Sequence, residues 1–420
     1  MVNRRGHPLL REEVWTAAVP GGGRVWAVPG PGRRCHAVLL VDFGSIDAGA
    51  PGGPALPEGT AHFLEHRLFE KPEGDITDRF TSLGADVDAQ TGLTGTSFSF
   101  TAGAETFEDC LPLLFELAGR GHFPESGVER EREIIAREIQ LFDDSVEWVA
   151  FQTSLRALYG EHRIAVDIAG TPESLRRIDA GVLSRCHQQY YHPGALQLIV
   201  CGAPEGDAVC RRGVELLEAW PAGSAGGGRG PRIEARPQDM EVRRAVAKAR
   251  HLLLFPDPVP AEGLELLRRE LSLEMALDIL FGASSGFFEE AYESGLIDGE
   301  SFGGEVHLDG LYGFCLLGGD TDHPEALRQA ILEELETGAR IEEGFEQARR
   351  RVFGEMVCRW EDAEECADLV ECAVRRGCHP FDLVDLHLGD GALDAPAVAA
   401  CAAECLTPDG PAAATVLPSG

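Results

Sequence analysis

At 420 residues the chain is too long for one compact core and points to two or three domains. Its apolar share of 44% and charged share of 25% are those of a soluble globular protein. A net charge of -33, from 37 basic and 70 acidic residues, argues against nucleic acid and anionic lipid as partners, because both would repel it.

The N-terminus, Met1-Val2-Asn3-Arg4-Arg5-Gly6-His7-Pro8, is basic but has no apolar stretch behind it, so no signal peptide is visible. No apolar run approaches membrane-spanning length. The 12 cysteines form no C-x-x-C pair. Cys366, Cys372 and Cys378 recur every six residues, a spacing that fits neither a zinc knuckle nor a dense disulfide framework. They read as reduced thiols used as small buried apolar residues, and a cytoplasmic location is expected.

The short apolar runs 25–28 and 37–43, bounded by Gly and Pro, read as strands. A Gly/Pro-rich loop, 47–57, leads into Gly59-Thr60-Ala61-His62-Phe63-Leu64-Glu65-His66. On a helix His62 and His66 lie one turn apart on one face, and Glu65 flanks that face. Two imidazoles so placed can grip one zinc ion, and the carboxylate can take a proton from water. This is the inverted order H-x-x-E-H. With 13 histidines in 420 residues, chance alone produces such a match in roughly 4 of 100 chains, so context must carry the reading.

Further on, 75–83 reads as a helix closed by Gly84, and 96–101 alternates polar and apolar residues as a half-buried strand does. An amphipathic helix follows at 107–118. The segment 129–142 has helical periodicity through Ile135, Ile139 and Phe142. Its Glu131 and Glu138 are two turns apart and share a face. A carboxylate on a partly buried face needs a metal or a cation, and Arg130, Arg132 and Arg137 offer the plainer alternative of surface ion pairs. The stretch 174–191 reads as a helix and 196–201 as a buried strand.

The stretch 221–237, with Gly226-Gly227-Gly228-Arg229-Gly230-Pro231, lacks apolar periodicity and reads as a linker. This divides the chain into an N-terminal domain 1–220, a linker 221–239 and a C-terminal domain 240–420. The second half repeats the plan of the first: a strand at 251–255, a long apolar helix at 264–281, a strand at 313–319, and helices at 325–335 and 344–356. Gly344-Phe345-Glu346 answers Gly127-Val128-Glu129, so Glu355 falls where Glu138 does, but 264–281 carries no histidine. A duplicated α+β domain with one loaded and one empty site is the architecture expected.

Taken together, Ala61-His62-Phe63-Leu64-Glu65-His66, Leu68-Phe69, Gly84-Ala85, Glu131 with Glu138, Gly170-Thr171-Pro172-Glu173-Ser174-Leu175 and Tyr191-His192-Pro193-Gly194 resemble the pitrilysin/insulinase family of zinc peptidases. The resemblance is to its small two-domain members, related to the processing peptidases, and covers nearly the whole chain. It implies two homologous domains, each a mixed sheet packed with helices, forming a clamshell around an unfolded peptide. It also implies one zinc per chain held by His62, His66 and Glu138, with Glu65 as general base and Glu131 orienting a ligand.

By the same resemblance, Asp88, Ala89, Gln90 and Thr91 would hold an extended substrate by strand pairing. The family usually has Asn at Asp88, and an ionised Asp accepts hydrogen bonds but cannot donate one. Family catalytic chains commonly carry an Arg and a Tyr around a Gly-Leu pair. Aligned on Gly295-Leu296, this chain has Tyr292 and Asp298 at those positions. Gly295-Leu296-Ile297-Asp298 and Gly318-Gly319-Asp320-Thr321 resemble a subfamily of paired chains, some of which trim leader peptides from ribosomally made peptides. The resemblance therefore implies a zinc endopeptidase subunit, with a homologous partner chain supplying the Arg and Tyr. The competing expectation is an inactive structural or peptide-binding subunit of the same fold.

Overall fold

The computed structural model describes residues 1–47, 49, 55–221, 230–337, 340–389, 391–407 and 410–419. Part of the expected loop 47–57 and residues 222–229 of the expected linker lie outside the described residues.

The first sheet has seven strands, in the order 2–7, 12–18, 24–28, 196–201, 35–41, 96–102, 86–91. Its centre is Cys35–Val41, buried at every position and flanked by antiparallel neighbours on both sides. Such a continuous apolar run suits a strand covered on both faces. Thr96–Ala102 instead alternates buried and half-buried residues, as its sequence predicts. Among the described residues, Asp86–Thr91 ends the sheet and pairs only with Thr96–Ala102, on its inner side.

The second sheet has five strands, in the order 240–244, 412–418, 249–256, 313–321, 303–308. Strand for strand this matches 24–28, 196–201, 35–41, 96–102, 86–91 of the first sheet. Even the single parallel pair recurs, as 24–28 with 196–201 and as 240–244 with 412–418. The duplication read from element order therefore extends to sheet topology. The fold is α+β with two like domains, as expected from sequence.

Contacts divide the chain into two units that are not continuous stretches: 1–140, 166–229 and 357–372 form one, and 141–165, 230–356 and 373–420 the other. Helix Val146–Tyr159, for which the sequence reading gives no element, covers the second sheet, and its Val149 and Ala150 pack with Val416. Conversely, residues at 362–366 pack on the first unit. Arg34 pairs with Glu364 at 2.7 Å, and Gly202 leaves room for Ala363. The two halves thus exchange equivalent segments, each following the long helix of its own half.

Several boundaries shift from the sequence reading for local reasons. The expected helix 174–191 splits into Pro172–Leu175 and Ala180–Tyr190, because Asp179 caps the second by accepting from the Val182 N–H. The expected helix 75–83 shortens to Thr77–Ser82. No single described helix is long and apolar enough to cross a membrane; Gly263–Phe281 passes such a test only together with Gly286–Glu293, bent by 45°.

Candidate metal centre and its surroundings

Helix Thr60–Phe69 carries the H-x-x-E-H motif. Phe63, Leu64 and Leu68 are fully buried in the core of the first unit, which fixes the helix in rotation. Its start is equally constrained. Gly59 adopts φ 83°, and a Cβ there would lie 2.4 Å from the Ala169 carbonyl oxygen. Gly170 mirrors it, with φ 83° and a notional Cβ 2.7 Å from the Glu58 oxygen. Only glycine fits two backbones crossing this closely.

With the apolar side anchored, His62 and His66 present their rings together, centroids 4.5 Å apart. Helix Glu125–Asp143 brings Glu138 to them. Its Oε1 lies 3.6 Å from His62 Nε2 and its Oε2 3.5 Å from His66 Nε2. One ligand atom from each of the three residues lies within 4.8 Å of the others. Adjacent donors around a tetrahedral zinc with bonds near 2.0–2.1 Å stand about 3.3 Å apart, so the observed spacings suit that ion. The donor types, two imidazoles and a carboxylate, suit it as well.

The electrostatics agree with a cation between these groups. Burial, with His66 alongside, lowers the His62 pKa to about 3, so its imidazole is neutral and its lone pair available. Burial raises the Glu138 carboxyl, with Asp167 and Glu131 adding to the rise and His66 opposing it. Glu138 Oε2 is buried without a hydrogen bond among the described residues. Buried acceptors left in this way are destabilising unless something else meets them.

Glu131 occupies the same helical face two turns earlier. Its Oε1 is 3.1 Å from His66 Nδ1, and Arg67 Nη1 donates to its Oε2 at 3.2 Å. Burial pushes this carboxyl up, but His66 and Arg67 outweigh it and hold it below the ordinary value. The alternative of surface pairs with Arg130, Arg132 or Arg137 is not realised. Those three engage Glu70, the Leu175 and Ile178 carbonyls, and Glu133 respectively. Because Glu131 takes His66 Nδ1, the Nε2 atom is left facing Glu138.

Glu65 is 7% exposed, and Thr91 donates to its Oε2 at 2.5 Å. Burial raises its pKa, with Glu138 and Asp88 adding to the rise and the Thr91 hydrogen bond and His66 opposing it. Thr91 closes the edge strand Asp86–Thr91. The sequence reading groups it with Asp88, Ala89 and Gln90 as substrate-binding, but its hydroxyl is turned inward onto Glu65. Asp88 and Gln90 are exposed and Ala89 is half-buried. Asp88 and Ala89, with Glu65 and His66, line a cavity of about 790 Å³.

Two side chains singled out in the second half are engaged locally. Tyr292, 59% exposed, stacks on Phe288, and Asp298 accepts from the Glu300 and Ser301 N–H groups. Glu355, the counterpart of Glu138, pairs with Arg351 at 2.7 Å. The sequence reading passes over Arg67. Its one signal is a cation inside an otherwise apolar helix stretch, directly after His66.

Comparison with known proteins adds a family to this geometry. Residues 29–172 match the model for insulinase (peptidase family M16), and residues 177–352 match that for the peptidase M16 inactive domain. The uncharacterized zinc protease YmfH of Bacillus subtilis is 31% identical over 372 residues, covering 84% of this chain and 85% of that protein. A crystal structure described as that of an M16-like peptidase from Alicyclobacillus acidocaldarius aligns with a TM-score of 0.89 at 27% identity, over 99% of this chain and 100% of the other. Pitrilysin aligns with a TM-score of 0.74 at 15% identity, over 98% of this chain and 46% of its own, a likeness of fold alone.

Proposed function

The chain belongs to the insulinase family of peptidases, family M16, and from that premise we propose that it is a zinc endopeptidase subunit acting on unfolded peptides. The observation that carries the reading is the convergence of His62, His66 and Glu138 on one point, with the Glu65 carboxylate buried beside them. These three residues would hold one zinc ion. When bound, zinc supplies a Lewis acid that acidifies water and polarises a peptide carbonyl.

Glu65 is the general base. Thr91 ties down its Oε2, which leaves Oε1 to accept the proton of the attacking water and return it to the leaving amine. Burial strengthens it as a base by raising its pKa. The outer side of Asp86–Thr91 offers main-chain donors and acceptors to an extended peptide, which is bound as an added strand. Asp88, when ionised, accepts hydrogen bonds but does not stabilise an oxyanion.

A homologous chain that lacks the metal motif supplies the missing Arg and Tyr. Support comes from Tyr292 and Asp298, which stand at those positions and are engaged locally. The pair works in the cytoplasm, and leader peptides of ribosomally made peptide products are the proposed substrates. The second reading, an inactive binding subunit, draws on the same two residues. Mixing decides between them. We expect cleavage of an unstructured leader-type peptide only when this chain is combined with the homologous chain encoded beside it, and loss of cleavage when the partner's Arg or Tyr is replaced. Full activity of the isolated monodisperse chain removes the partner, and no cleavage by the zinc-loaded pair favours the inactive reading.

A further inference from the structure

We propose that Arg67 is a positioning residue of the metal centre, holding Glu131 on His66 so that His66 presents Nε2 to the metal. The inference rests on the reading that His62, His66 and Glu138 bind zinc, and adds a residue to it. Arg67 follows His66 on the helix, so it points about 100° away from the metal face. Its side chain is 1% exposed. Burying a guanidinium is expensive unless it is paired. All the pairing found for it among the described residues runs through one nitrogen. Nη1 donates to Glu70 Oε2 at 2.5 Å and to Glu131 Oε2 at 3.2 Å, while Nε and Nη2 have no hydrogen-bond partner there.

The two oxygens of Glu131 are therefore divided, one to the histidine and one to the arginine. Glu70 is held in turn by Arg130, whose Nη2 donates to the same Oε2 at 2.6 Å. The result is a chain of alternating groups, His66–Glu131–Arg67–Glu70–Arg130, running from the metal face to solvent. Without the guanidinium, Glu131 Oε2 would sit unpaired where its side chain is only 12% exposed. The carboxylate would then turn outward to water and release His66 Nδ1.

The backbone is shaped around this arginine too. A Cβ at Gly127, in the first turns of helix Glu125–Asp143, would lie 2.6 Å from Arg67 Nη2 and 3.1 Å from its Cζ. That helix carries both Glu131 and Glu138, so its distance from the motif helix is set partly at this contact. Glycine is among the poorer helix formers. Its presence here is explained by the guanidinium it accommodates.

An arginine that merely tied the two helices together would shift Glu138 and Glu131 alike, so its loss would add to that of Glu131→Gln instead of overlapping it. The test is zinc affinity of the full-length chain, by competition with a chromophoric chelator. Arg67→Met, Arg67→Lys, Gly127→Ala, Glu131→Gln and the double variant Arg67→Met/Glu131→Gln are compared with wild type, with folding checked by circular dichroism. We expect Arg67→Met to weaken zinc by about 10- to 100-fold, as losses of ligand-orienting partners do, and close to Glu131→Gln. The double variant should be no weaker than the weaker single one, and Arg67→Lys should recover part of the loss. Folded Arg67→Met that binds zinc within twofold of wild type, while Glu131→Gln does not, overturns the proposal. If Arg67→Met does not fold, Gly127→Ala decides: displacing the guanidinium should weaken zinc several-fold, and wild-type affinity overturns the proposal. A wild-type chain whose zinc binding is indifferent to His62→Ala would instead overturn the underlying reading.

Discussion

His62, His66 and Glu138 illustrate how far single residues can be read from spacing. An interval of four places two imidazoles on one face, and an interval of seven places Glu131 and Glu138 on another. The structure brings both faces together, with Glu138 3.5 and 3.6 Å from the two Nε2 atoms. Spacing alone says nothing about depth, however. Glu131 is held by two partners away from the metal point, one of them Arg67, and the Thr91 hydroxyl is bound to Glu65. Long-range pairs of this kind leave no periodic trace. They do give the two carboxylates different expected phenotypes. Glu138→Gln should lower zinc affinity at least tenfold more than Glu131→Gln, because on the proposed assignment it removes a direct ligand rather than a group that orients one. Equilibrium dialysis against zinc checks the order, and equal losses would contradict it.

Elements were legible where one face is apolar and the other is not. Ala104–Gly119 and Thr96–Ala102 follow their patterns closely. Helix Val146–Tyr159 did not show, because Val149, Ala150, Gln152, Thr153, Ser154 and Leu155 are all buried, which erases the amphipathic signal. The motif helix depends on a feature that only the structure makes visible, the crossing of Gly59 and Gly170. Gly59→Ala combines a left-handed φ of 83° with a Cβ 2.4 Å from the Ala169 oxygen. We expect roughly 2–4 kcal/mol of destabilisation in urea unfolding, together with weaker zinc binding as the helix start shifts. A change under about 0.5 kcal/mol would mean that the two loops yield easily.

Across the whole molecule, the duplication was legible in element order, and the matching strand orders of the two sheets extend it. What no local pattern encodes is which sheet a helix covers. The exchange of 141–165 and 357–372 between units has a direct consequence for folding. Residues 1–220 alone lack the segment that packs beside Arg34 and Gly202, and residues 240–420 alone lack Val146–Tyr159 over their sheet. Either fragment should therefore be poorly folded by near-ultraviolet circular dichroism, and the two together should recover signal. A cooperative unfolding transition from 240–420 alone would show the exchanged helix to be dispensable.

Glu65 carries the proton transfer in the proposed hydrolysis. The most direct measurement is peptide hydrolysis by Glu65→Gln and wild-type chains of equal zinc content, each assayed with the proposed homologous partner chain. Glutamine keeps the shape and can still meet the Thr91 hydroxyl, but it cannot take a proton. We predict intact fold, about one zinc per chain in both, and a fall in kcat of several orders of magnitude, about 10²- to 10⁴-fold or more. A Glu65→Gln chain that retained a substantial fraction of wild-type turnover at full zinc occupancy would contradict the account.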